Sequence, residues 1–309
     1  MRVHEFLKLY ESGHRNFRGI NLSGADLSSC ILVNIDLSEA NLTGVNFHRA
    51  FLTKGTFVKA ELQRANLQFA KLGESDFSYA NLTKVNGCGA FWIKSELSYA
   101  KLSGAQLAHV NFRQSRLHCA NFCGASLPGV NLRETQVNGV NFAWANLRGA
   151  RLYGANITAA QFSGVNLAYS RLNGLNFSGY DMNGVNFSHA HMKGTNLQTA
   201  NLTATNFSHT QLQHANLQRV NLSGANLQNA QLQRANLTDT DLRRTNLEQV
   251  ELTGAVLTNT ILPTSTLTEL QTNSGDLHRR PIAIPQPSAQ TPIATPGMFM
   301  SSFPSIMVK

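Results

Sequence analysis

The residues of this chain that could bind a metal ion are a few histidines and cysteines. His118 and Cys119 are adjacent, and Cys123 follows them. Imidazole and thiolate groups are good zinc ligands, but a structural zinc site needs four ligands, and no second pair of histidines or cysteines follows this one. We therefore predict no metal site here.

Histidines also recur at a fixed interval further along the chain. His189 and His209 are twenty positions apart, and His191 lies beside the first of them. If residues twenty apart stack, these imidazoles would form a pH-sensitive pair, a metal-binding pair or a surface feature without function. Catalysis needs a nucleophile, a base and an orienting group that converge in a cleft, and the chain offers no such set. The sequence predicts no catalytic, cofactor-binding or metal-binding residues.

All these side chains are positioned by a repeat of five residues. From Phe17 to Leu267 every fifth residue is apolar, with one exception at Gly87, and the phase never slips. A period of five fits neither a helix nor a strand. It indicates a repeat architecture, in which each short unit buries one side chain and stacked neighbours complete the core.

The repeated unit reads Ala-Asn-Leu followed by two variable residues. A small residue stands two positions before the large apolar centre, and Asn or Asp stands between them. The small residue is alanine at Ala25, Ala40, Ala65, Ala80, Ala100, Ala120, Ala145 and Ala200. This unit resembles that of the pentapeptide-repeat family, and residues 3–17 are similar to the start of cyanobacterial members. The resemblance implies an all-β fold, a right-handed quadrilateral β-helix with four quintets per coil.

In such a coil both the centre and the small residue point inward, where space is limited. Leu175 and Tyr180 are large residues at the small position, so we expect the coil to widen there or the side chain to turn outward. Stacked at strand spacing, the coils would form a rod on the order of 60 Å long.

Three segments are predicted along the chain. Residues 1–16 carry Val3, Phe6, Leu7 and Tyr10 at helical spacing, which predicts a short amphipathic helix that caps the open end of the first coil. Residues 17–269 form the β-helix. Residues 270–309 are rich in Pro, Ser, Thr and Gln, a composition that predicts a disordered tail.

Composition predicts a cytoplasmic protein with no membrane contact. The chain has no apolar run long enough to span a membrane, and its first residues do not read as a secretory signal. Its four cysteines form no secreted disulfide framework. The net charge is +9, and residues 101–236 hold ten Lys or Arg against two acids, a local charge of +8. This bias predicts an acidic partner or serves only solubility.

One face of the predicted β-helix departs from the repeat, and we call it the divergent wall. The position before the centre is Asn only twice in the series from Ile31 to Glu251 taken in steps of twenty. The wall begins with apolar residues and continues with a basic stripe, a combination suited to docking a protein. The candidate partner-binding residues are Ile31, Phe51, Phe91, Trp92, Arg113, Arg133, Arg151, Arg171 and Lys193.

The repeat breaks once, at and beside this wall. The apolar centre is lost at Gly87 and becomes Trp92 in the next unit, before Leu97 resumes the phase. Glycine permits positive φ values and tryptophan is larger than a leucine site, so we expect a bulge or an out-looped turn with Trp92 or Phe91 facing solvent. An exposed aromatic side chain would serve there as an anchor for a partner.

These features predict a non-enzymatic scaffold or regulatory solenoid that binds another protein with an acidic surface. The alternative is a nucleic-acid-binding protein that uses the basic stripe, because phosphate contacts need only Lys and Arg at regular spacing. Aromatic residues that could stack on bases are not interleaved with the stripe. The sequence does not decide between a monomer and an end-to-end homodimer, because the open coil ends of a solenoid are able to pair.

Overall fold

The chain winds into a four-sided coil in which each side is one quintet. The computed structural model describes residues 1–264. Single parallel bridges join Asn16 to Asp36 and every fifth residue after it, as far as Asp241, to the residue twenty positions later, with two exceptions at Asn156 and Gln161. A coil therefore holds four quintets, and no longer strand occurs within the described residues.

Each corner of the coil is a tight turn with one residue in the left-handed region. At one corner the Ala25 N–H donates to the Leu22 carbonyl at 3.0 Å, and Gly24 between them has a φ of 67°. A positive φ at the third residue is what a type II turn requires. Every fifth residue from Gly19 to Asn259 has a positive φ, and most of them are not glycine. These corner side chains lie outside the core.

The interior of the coil is filled by the two inward positions that the repeat predicts. Leu42 and Ala40 are both fully buried, and the same holds for nearly all their counterparts. Where the small residue carries a hydroxyl, the hydroxyl donates to the carbonyl of a centre. Ser75 bonds in this way to Leu52 of the preceding coil at 2.9 Å, and Ser170 bonds to Leu167 of its own coil at 2.6 Å. Buried hydroxyl groups are thus hydrogen-bonded, as an apolar interior demands.

The helix predicted within residues 1–16 is present as α1, Val3–Glu11. Phe6 on this helix is fully buried, and its ring meets that of Phe17 edge-on with the ring centroids 4.6 Å apart. The Tyr10 hydroxyl donates to the Val33 carbonyl at 2.9 Å. The helix therefore lies against the first coils.

The stack of coils opens at one place, where the two large residues occur at the small position. Leu175 is 6 % exposed and Tyr180 is half-buried, so both point inward. The two missing bridges are those that would join Asn156 and Gln161 to the coil that carries Leu175 and Tyr180. The expected widening is present, and the alternative of an outward turn is wrong.

The predicted tail, residues 270–309, lies outside the described residues. Within residues 1–264 no helix is long and apolar enough to cross a bilayer.

Candidate functional site

The divergent wall is one continuous column of stacked residues. Parallel bridges run from Ile31 to Phe51 and onward to Glu251. Ile31 is 67 % exposed and Phe51 is 45 % exposed, so the start of the column presents apolar side chains to solvent. Phe91 is also exposed, and the Lys71 Nζ atom lies 3.6 Å from the centre of its ring, a cation–π contact.

The expectation of a bulge or an out-looped turn at Gly87 is wrong. The bridges continue through Asn86 and Phe91, and the Gly87 N–H donates to the Gln106 carbonyl at 2.8 Å, as in a regular coil. Trp92 is fully buried, so it is not a solvent-facing anchor. A Cβ atom at position 87 would lie 3.1 Å from the Trp92 Cζ3 atom. The indole occupies the space that Gly87 leaves empty, and Phe91 is the residue of the pair that faces solvent.

The basic stripe consists of Arg113, Arg133, Arg151, Arg171 and Lys193. Within the described residues, Arg113 is the member of the stripe that forms an ion pair. The Arg113 guanidinium lies 3.3 Å from the Glu134 carboxylate. The Gln114 side chain also donates to that carboxylate at 2.7 Å. This hydrogen bond lowers the pKa of Glu134, and the hydrogen bond from Arg113 lowers it by a smaller amount. Within residues 1–264 no ion pair is formed by Arg133, Arg151, Arg171 or Lys193.

The unpaired cations lie close to one another. Arg151 and Arg171 are bridged neighbours on adjacent coils, about 4.8 Å apart along the column. Like charges at this spacing repel each other, so an anionic group bound between them would be stabilised.

One exposed aromatic residue lies within the stripe, contrary to the expectation from the sequence. Tyr153 is 61 % exposed, and it falls between Arg133 and Lys193 in the corner series that also contains Arg113 and Asn173. The spacing of twenty could have revealed it, because 113, 133, 153, 173 and 193 share one register. Tyr and Arg are the residue types that most often dominate binding energy at protein interfaces.

The residues with metal-binding chemistry stay apart or stack without converging. Within residues 1–264 no group of three or more His, Cys, Asp or Glu side chains is placed to hold a metal ion. His118 Nε2 lies 3.4 Å from Cys119 Sγ. The rings of His189 and His209 stack at 4.6 Å, and His189 stacks on Tyr169 at 4.5 Å.

This stack shapes the titration of His189. Burial lowers the pKa of His189, and the nearby charges of His209 and Arg148 lower it further. Both effects favour the neutral form of the His189 imidazole.

Pentapeptide repeats match this chain in eight copies, over residues 20–57, 60–86, 93–128, 125–160, 160–198, 200–239 and 230–268. The chain belongs to the pentapeptide-repeat family. Members of this family fold as right-handed quadrilateral β-helices, in agreement with the four-sided coil described above. The pentapeptide-repeat matches leave out residues 87–92, the segment in which Gly87 and Trp92 replace the usual centres.

Several solved pentapeptide-repeat structures are similar to this chain. HetL, which is involved in heterocyst differentiation regulation in the cyanobacterium Nostoc sp. strain PCC 7120, is 28 % identical over 85 % of this chain and 98 % of its own, with a TM-score of 0.39. A thylakoid-lumen protein of Arabidopsis thaliana is 28 % identical over 37 % of this chain and 65 % of its own, with a TM-score of 0.23.

The plasmid-mediated fluoroquinolone resistance protein QnrB1 is more distant. It is 17 % identical over 84 % of this chain and 100 % of its own, with a TM-score of 0.20. No curated protein matches the chain.

Proposed function

We propose that this pentapeptide-repeat protein is a non-enzymatic scaffold or regulatory protein whose divergent wall docks another protein with an acidic surface. The observation that supports this most is that, within residues 1–264, Arg133, Arg151, Arg171 and Lys193 form no ion pair on a wall that begins with exposed Ile31 and Phe51. Charges on a wall without a cleft suit the recognition of a surface better than catalysis on a small substrate.

The apolar and basic parts of the wall would contribute differently to binding. Ile31 and Phe51 would lose their contact with water and stabilise the complex. The cations would speed the encounter with an acidic surface and fix its orientation. Between these cations, Tyr153 would pack against the partner. Its side chain is large and has few rotatable bonds.

The wall would act as a rigid array. Its side chains are held about 4.8 Å apart by the bridges between coils, so binding would order few additional groups. In this proposal α1 acts as the cap of the first coil, the β-helix spans residues 17–269, and the protein acts in the cytoplasm.

The test is a comparison of two triple charge reversals. The wall variant changes Arg133, Arg151 and Arg171 to Glu. The control variant changes Lys101, Arg116 and Arg219 to Glu, an equal change of charge at positions outside the divergent wall. A partner isolated from nuclease-treated extract with the wild-type protein is purified, and its affinity for all three proteins is measured by calorimetry.

We expect the wall variant to bind more than about tenfold more weakly and the control to bind within about threefold of wild type. Circular dichroism should be the same for all three proteins. Equal loss in both variants would mean that net charge alone, and not the wall, attracts the partner.

Nucleic acid is the second candidate, and Tyr153 is the observation that favours it. An exposed tyrosine among cations could stack on a base. If no protein is captured and the untreated sample carries nucleic acid, with affinity that falls steeply as salt rises, the second candidate replaces the first.

A further inference from the structure

The opening between coils that Leu175 and Tyr180 create has a defined extent, and we call it the seam. On its two open faces the bridges from Asn156 and Gln161 to the next coil are missing. On the other two faces the bridges are intact; one joins Arg151 to Arg171. The seam therefore opens on two adjacent faces of the rod, and one of them adjoins the divergent wall at the corner of Tyr153.

Solvent reaches the core through the seam. Ala155, Ile157 and Ala160 are 9, 5 and 5 % exposed, whereas core residues of regular coils are at or near zero. The Tyr180 hydroxyl donates to the Ile157 carbonyl at 2.6 Å across the opening. Tyr180 thus holds the two coils apart at a fixed distance.

A depression of about 290 Å³ lies at one end of the seam. It is lined by Trp144, Ser163, Gly164, Asp181, Asn183 and Gly184. This volume is enough for one large side chain but not for a folded element.

Trp144 forms an aromatic wall of the depression. Its side chain is 72 % exposed, the highest value for any large apolar residue among those described. A Cβ atom on Gly164 would lie 2.4 Å from the Trp144 Cε3 atom, so the indole rests on the glycine backbone of the next coil. No Cβ of Gly164 or Gly184 obstructs the space beside it.

The depression carries hydrogen-bond acceptors and donors. In a regular coil the carbonyls of Asp181 and Asn183 would accept from the N–H groups of Phe162 and Gly164, and these two bonds are absent at the seam, which leaves both the carbonyls and the N–H groups without these partners. The Asp181 carboxylate adds a negative charge, and its Oδ1 atom accepts from the Asn201 amide at 2.9 Å. The Ser163 hydroxyl and the Asn183 side-chain oxygen can accept as well.

Among the described residues, no ion pair involves Asp181. Its bridged face and the corners on either side carry no Lys or Arg between residues 121 and 204 in the twenty-residue register. This is unusual in a stretch with a net charge of +8. The carboxylate is free to attract a cation from outside.

We propose that this depression binds the guanidinium group of an arginine side chain on a partner polypeptide. A planar guanidinium stacks on an indole, and its N–H groups donate in one plane to carboxylate and carbonyl oxygens. Trp144 supplies the stacking surface, and Asp181 and Asn183 supply the acceptors. An ammonium group would meet fewer of these acceptors, and a neutral sugar would leave the carboxylate without a counter-charge.

The test uses the tryptophan itself as the reporter. The chain has two tryptophans, and Trp92 is fully buried, so a change in emission on adding a small ligand reports on Trp144. The probe is N-acetyl-arginine amide, and its matched control is N-acetyl-citrulline amide, which has nearly the same shape without the charge. We expect saturable binding of the arginine derivative in the millimolar range and at least tenfold weaker binding of the citrulline derivative.

Two single substitutions test the assigned acceptor. Asp181→Asn should weaken binding of the arginine probe at least tenfold. Asp26→Asn is the control, because Asp26 accepts a hydrogen bond from the Asn46 amide at 2.9 Å just as Asp181 does from Asn201, but lies far from the seam. It should leave binding unchanged.

A third variant tests the seam without altering the lining. Tyr180→Ala combined with Leu175→Ala restores small residues, so the bridges should form, the depression should close and binding should be lost. The proposal is overturned if Asp181→Asn binds like wild type, if citrulline binds as well as arginine, or if a saccharide or quaternary ammonium probe saturates the Trp144 signal at lower concentration.

Discussion

At the scale of single residues, Gly87 and Trp92 compensate for each other within one coil. The two lie on adjacent sides of the coil, and the Trp92 ring extends into the space beside Gly87 and stacks on Phe112 of the next coil with the centroids 5.3 Å apart. The indole N–H has no hydrogen-bond partner within the described residues. The pair therefore fills the space of two apolar centres with one large side chain but buries an unpaired donor.

A double-mutant cycle measures this compensation. Gly87→Leu alone would overfill the core, because even a Cβ atom at this position lies 2.9 Å from Leu107 Cδ2. Trp92→Leu alone would leave a cavity. Each should lower the free energy of unfolding by about 2 kcal/mol or more. The double variant restores the usual centres and removes the unpaired donor, so its stability should lie within about 1 kcal/mol of wild type. Denaturant unfolding measures all four proteins, and a double variant as unstable as the sum of the single ones would contradict the compensation.

The sequence predicted which side chains point outward, but not which residue fills the space beside an irregular centre. The phase of the repeat placed Phe91 outside and Ile31 and Phe51 on the same wall, and the structure agrees. It could not show that Trp92 fills the space beside Gly87, because that depends on the shapes of two neighbouring sides. Trp144 was within reach of the sequence, since it is the second residue after a centre, a position that lies outside the core in every coil.

At the scale of elements, α1 packs against the first coils with Phe6 fully buried and with Val3, Leu7 and Tyr10 partly buried. Phe6 is buried against Phe17, while Leu9 on the same helix is exposed. Without a cover, the first coil would present apolar side chains and unpaired backbone groups, which promote association between chains. The role of α1 as a cap follows from these contacts as a proposal.

Two substitutions on α1 separate covering from helix formation. Phe6→Ala should release the helix, so that the amides of the first coil lose protection in hydrogen exchange and dimers or larger species appear in ultracentrifugation. Phe→Ala changes in a core typically lower stability by about 3–5 kcal/mol, an upper bound for a terminal helix. Leu9→Ala should change neither observable. A monomeric Phe6→Ala protein with a protected first coil would show that α1 is not a cap.

At the scale of the whole molecule, the rod is two stacks of coils joined at the seam. Coils are joined by bridges on four faces elsewhere, but the coil of residues 152–171 meets the next one through two. The repeat predicted a rod of regular coils that widens at Leu175 and Tyr180. It could not predict which bonds would be lost, because the strain of a large inward residue spreads over neighbouring sides.

Hydrogen exchange along the rod should reveal the seam as a local minimum of stability. The amides of Ile157 and Phe162, which lack inter-coil acceptors, should exchange faster than those of Val137 and Phe142 one coil earlier, which donate at 2.9 Å. The double variant Leu175→Ala, Tyr180→Ala should slow exchange of the Ile157 and Phe162 amides and leave the exchange of the other two amides unchanged. Equal protection of all four amides in wild type would argue against an open seam.

The seam also determines how the rod would respond to a load. Tension along the axis stretches the hydrogen bonds between coils, and at the seam two faces carry the force that four faces share elsewhere. A molecule held by its two ends in an optical trap would lengthen first between residues 152–171 and 172–191. It would yield there while the divergent wall and the face of Asn166 stay joined and the coils on either side stay wound.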